Sequence, residues 1–198
     1  RRRAALSDVA RKRLAAIYQV AKKRGGVRKT QLIECKDNAS GVLRELATTW
    51  HREAQKTQNM DTYALAMYLY KEYLDNFPRQ KDAYTMSFYY AELLYKLEKW
   101  ERAAEAYTNV VKMKRDGKYL KEAAYAAVIA WKNALNVASV GEEVPMKSKK
   151  RGKKGRKGRK TGPKKDITTP IPIPPKKQKM IAAFDTYIKY VPNSKDLV

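Results

Sequence analysis

His51 is the only histidine and Cys35 the only cysteine in a chain of 198 residues. With one imidazole, a His-pair metal site and a two-histidine acid–base couple are excluded. With one thiol, neither an internal disulfide nor a Cys-based metal cage can form. Cys35 has no histidine near it in sequence, and neither a Gly-x-Ser-x-Gly elbow nor a phosphate-binding Gly loop occurs. Gly152, Gly155, Gly158 and Gly162 recur at short intervals, but in a Lys-rich tract with no strand before it, so no nucleotide cradle is predicted. Leu32-Ile33-Glu34-Cys35 is a loose match to a lipoprotein processing site. Glu34 stands where a small residue is needed and no apolar run precedes it, so Cys35 reads as a buried or half-buried thiol. His51, beside Trp50, reads as a surface or groove residue. No catalytic role, metal or cofactor is expected.

Charge is the chemistry that remains. Of the formal +24, residues 147–165 contribute 12 Lys/Arg without an acid, and residues 1–29 contribute +10, which leaves about +2 for everything else. The body of the chain is therefore near neutral, which argues against a DNA-binding domain with positive charge on its folded surface. The candidate polyanion contacts are Lys149, Lys150, Arg151, Lys153, Lys154, Arg156, Lys157, Arg159 and Lys160. They fit a solvated loop, a segment docking on an anionic membrane, lipopolysaccharide or acidic protein, or a nucleic-acid contact. Residues 141–176 hold no aromatic for base stacking, so no specific nucleic acid is expected and any polyanion contact is weak.

The elements that would carry these residues are helical throughout. Leu6, Val9, Leu14, Ile17 and Val20 predict a basic amphipathic helix over 4–24, ended by Gly25-Gly26. Further helices are predicted from a Ser40 N-cap to about Thr57, from an Asp61 cap to Asn76, and then over about 81–97, 99–114 and 118–137. Alternating β-branched runs are absent. From 138 to 176 the composition turns to Lys, Gly and Pro, too poor in apolar surface to offset ordering entropy. A helical pattern resumes over 177–191.

Self-comparison shows a repeat. Trp50, Ala54, Tyr63, Ala66, Tyr70 and Pro78 match Ser87, Ala91, Trp100, Ala103, Tyr107 and Arg115, each 37 residues later. Small residues at such spacing let paired helices approach, and aromatics fill the gaps between pairs. A third, split unit is read with Ala127 in the small position and Phe184 in the aromatic place. Pro192-Asn193-Ser194-Lys195-Asp196 echoes Pro78-Arg79-Gln80-Lys81-Asp82 and predicts that another repeat follows.

On these residues the chain resembles the tetratricopeptide repeat family over about 40–137 and 177–198. Thr57, Leu94, Glu53, Ser87 and Arg115 depart from its pattern. The resemblance implies an all-α solenoid of stacked antiparallel helix pairs that binds other proteins. Its domains would be a basic N-terminal region (1–38), two intact units plus the first helix of a third (39–137), a Lys/Gly/Pro-rich insertion (138–176), and the closing helix with the start of a following repeat (177–198). In such arrays the first helix of each pair lines the partner groove, which implies partner contacts at His51, Gln55, Phe88, Glu92, Tyr95, Ala124, Val128 and Trp131. The wording from Tyr89 to Ala104 is similar to bacterial cell-envelope members, among them outer-membrane assembly lipoproteins and gliding-motility components. That implies a periplasmic or outer-membrane-associated scaffold. The rival expectation is an intracellular nucleic-acid or ribonucleoprotein adaptor that uses the basic insertion.

Overall fold

A computed structural model describes residues 16–136 and 172–191, all of whose regular elements are helices. Residues 16–24 form α1, followed by α2 (Lys29–Thr57), α3 (Met60–Asn76), α4 (Ala83–Lys96), α5 (Trp100–Met113), α6 (Leu120–Ala134) and α7 (Pro175–Tyr190). From α2 onward, each helix packs mainly on the one before and the one after it in the chain.

Local chemistry sets the ends. Gly25 and Gly26 take φ of 67° and 74°, a left-handed pair that ends α1 without a Cβ clash. Asn59 caps α3, its side-chain oxygen accepting from the backbone N–H of Asp61 and Thr62. The expected Asp61 cap therefore moves back two residues, and Asp61 occupies the first turn. Pro175 starts α7 at a position where its missing N–H costs nothing, two residues ahead of the expected start.

The largest departure is α2, which begins at Lys29 instead of Ser40. Ser40 is buried within the helix, its hydroxyl donating to the Asp37 carbonyl at 3.0 Å. Gln80 reaches back to the Ser40 hydroxyl and to the Asp37 carboxylate, so a bond from another element holds what resembles a cap in sequence.

A ring contact recurs between the paired helices. His51 meets Tyr70 with ring centroids 5.7 Å apart, Phe88 meets Tyr107 at 6.1 Å, and Tyr125 meets Tyr187 at 5.7 Å. The first members, His51, Phe88 and Tyr125, lie 37 residues apart, and so do Tyr70 and Tyr107. Ala66, Ala103 and Ala183 sit four residues before the second members and are all buried. Ala54, Ala91 and Val128 are the buried counterparts on α2, α4 and α6.

These contacts correct the reading of the third unit. Val128, not Ala127, follows Ala91 at the repeat spacing, and Tyr187, not Phe184, takes the aromatic place. Phe184 is exposed. Residues 192–198, read as the start of another repeat, lie outside the described residues, as do positions 4–15 of the expected first helix.

Candidate functional site

The candidate face is built by α2, α4 and α6, the first helices of the three pairs. Gln55 and Glu92 are exposed on it, and Ile129, half-buried, follows at the same spacing of 37. His51 is half-buried, and its Nδ1 shares a hydrogen bond with the Tyr70 hydroxyl at 3.1 Å. Burial lowers the His51 pKa below its ordinary value, so the ring is neutral near pH 7. It also touches Tyr89 edge-on at 5.7 Å.

Glu92 accepts a hydrogen bond of 3.0 Å from the Tyr107 hydroxyl on the partner helix α5. Although the residue is open to solvent, partial burial of its carboxylate against α5 pushes its pKa up, the bond from Tyr107 opposes that, and the negative Glu122 adds to the rise. Burial likewise raises Tyr107, with Glu92 reinforcing it, so this phenol stays a donor. Tyr95 is half-buried against Trp100 at 4.8 Å, and the Asn133 amide donates to its hydroxyl at 3.2 Å.

Four of the expected contacts are buried in the core. Phe88 is 3% exposed, stacked parallel on Tyr119 at 4.1 Å with Tyr107 at its other edge. Val128 and Trp131 are also buried, as is Ala124. Their positions follow from the slip of one residue in the third unit. The counterparts of Phe88, Glu92 and Tyr95 are Tyr125, Ile129 and Lys132, while Val128 and Trp131 correspond to the core residues Ala91 and Leu94. Trp131 lies instead beside α7, lining a cleft of about 380 Å³ with Glu105 and Thr108 of α5 and Lys179 of α7.

Sequence reasoning missed Tyr89 and Tyr119. Their hydroxyls lie 3.4 Å apart between α4 and the start of α6, and Tyr119 closes over Phe88. The Tyr84 hydroxyl accepts the Tyr119 backbone N–H at 3.1 Å, and a Cβ on Gly117 would overlap the Tyr84 ring, so any other residue there would have to displace Tyr84. The turn signal Asp116-Gly117 was legible, but not the side chain it makes room for.

The basic residues Lys149, Lys150, Arg151, Lys153, Lys154, Arg156, Lys157, Arg159 and Lys160 all lie outside the described residues. Among the described residues, no group of three or more His, Cys, Asp or Glu could hold a metal ion. Cys35 is half-buried against the core. No family model, curated protein or solved structure matches the chain.

Proposed function

We propose that the chain is a tetratricopeptide-type solenoid that works as a non-catalytic scaffold and holds segments of partner proteins on the face of α2, α4 and α6. The observation that supports this best is the threefold recurrence of one inter-helix ring contact, His51–Tyr70, Phe88–Tyr107 and Tyr125–Tyr187. Repeated pairs set side chains such as Gln55, Glu92 and Ile129 on one continuous face at regular intervals. Tyr95 and Tyr125, rigid and amphipathic, supply contact area at low entropy cost. A bacterial envelope assembly is the setting we propose, on the similarity of residues 89–104 alone.

A photo-crosslinking side chain placed at Gln55 or Ile129 tests the proposal against one placed at Asp75 or Asn109, which are exposed on α3 and α5. The scaffold reading expects one shared protein adduct from the first two sites and not from the others. Adducts from the α3 and α5 sites alone would place the working surface on the second helices.

A further inference from the structure

We propose that α1 is a docking helix for an anionic lipid bilayer surface. Its inner side is fixed: Tyr18 is buried with its ring 5.4 Å from Phe77, and the Gln19 amide donates to the Asn76 side chain at 3.1 Å. At 100° per residue, Ile17, Val20 and Arg24 then share the opposite side of the helix. Ile17 is 58% exposed and Val20 47%, an apolar stripe left uncovered by the described residues.

Charge identifies the occupant. Lys22, Lys23, Arg24, Arg28 and Lys29 are all exposed, and no acid occurs from residue 16 to residue 33. After the Gly25-Gly26 reversal, Val27 and Ile33 add further exposed apolar surface at the same end. Lys22, Lys36 and Arg79 line a cleft of about 500 Å³ on the inner, Tyr18 side of the helix, so within α1 it is Arg24 that shares a side with the apolar stripe. A protein groove would cover the apolar stripe and a free polyanion would use the cations. An anionic bilayer satisfies both at once, because apolar side chains enter the headgroup boundary while Lys and Arg meet the phosphates. No helix among the described residues is long and apolar enough to cross a membrane, so the contact would be peripheral.

The test uses the full chain with the Lys and Arg of 147–165 changed to Gln, which removes that tract's own attraction to lipid. Flotation with phosphatidylcholine vesicles, with and without phosphatidylglycerol, should show binding to the anionic vesicles only. Ile17→Ser with Val20→Ser should weaken it at least tenfold while circular dichroism stays unchanged. As a readout independent of that variant, Trp emission from Ile17→Trp should be quenched by brominated phosphatidylglycerol more than the native tryptophans are. Three results would overturn the proposal. They are no binding once the tract is neutral, binding indifferent to the two serines, or a lipid-free dimer dissolved by those serines, which would assign the stripe to self-association.

Discussion

The ring of Tyr125 on α6 lies 5.7 Å from that of Tyr187 on α7, although the whole basic segment separates them in sequence. The contact repeats the one between Phe88 and Tyr107, whose helices are joined by a short turn. The two helices therefore form one pair despite the length of chain between them. Loop-closure entropy grows only slowly with length, so a long insertion at such a turn costs little stability.

Tyr187 should consequently matter more than Phe184. Tyr187→Ala removes a buried ring and should destabilise by about 2–4 kcal/mol, whereas the exposed Phe184→Ala should change stability by less than about 0.5 kcal/mol. A double-mutant cycle of Tyr125 and Tyr187 should report a coupling of about 0.5–1.5 kcal/mol. Urea unfolding of the four proteins measures both. A larger loss at Phe184 would restore the register read from sequence.

Replacing positions 139–171 by a Gly/Ser linker long enough to join α6 to α7 should leave unfolding cooperative and helicity per residue unchanged or higher. Circular dichroism during a thermal scan is the measurement. Loss of the cooperative transition would show that the segment supports the pair.

Ala103 on α5 is fully buried. Ala103→Leu should overpack this site and cost about 1–3 kcal/mol. Thr108, half-buried on the same helix, should tolerate Thr108→Ala with a smaller change. Chemical denaturation of both variants checks the contrast.

The neutral His51 should make stability depend on pH. Its folded pKa lies below the ordinary 6.5, so the unfolded chain binds the extra proton first. Its contribution is complete above about pH 7 and falls away as pH drops below 6.5. His51→Gln should flatten the difference in unfolding free energy between pH 7.5 and pH 5.5. A wild-type slope unchanged by the substitution would place the titrating group elsewhere.

The helical composition and the first two pairs were legible because Ala54, Ala66 and Tyr70 recur as Ala91, Ala103 and Tyr107 at one spacing of 37, which fixes the register even though Ala104 adjoins Ala103. In α6 the run Ala123-Ala124-Tyr125-Ala126-Ala127-Val128 offers several small positions, and spacing alone cannot choose among them. In α7, Ala182 and Ala183 next to Phe184 pose the same ambiguity. Tertiary contact decides it, by placing Tyr187 against Tyr125. The start of α2 was hidden for a related reason. Ser40-Gly41 carries the local signature of a helix start, and only the bonds from Gln80 and the packing of Leu32 and Cys35 on the core show that the helix runs through it. Of the expected contacts, His51, Gln55, Glu92 and Tyr95 retain open surface, whereas Phe88, from an equally intact unit, is covered by Tyr119, a contact that spacing does not reveal.

The central claim, that the face of α2, α4 and α6 holds the partner, is tested most directly by affinity for the crosslinked partner at two salt concentrations. Two proteins are compared with the parent: Gln55→Ala with Glu92→Ala and Ile129→Ala, and the chain with the Lys and Arg of 147–165 changed to Gln. The account predicts at least a tenfold loss for the face variant at both salt concentrations, with folding intact. It predicts for the tract variant mainly slower association and a flatter salt dependence. The opposite order would contradict it: binding unaffected by the face variant, abolished with the tract, and falling steeply with salt as it does for a nucleic acid that releases counterions.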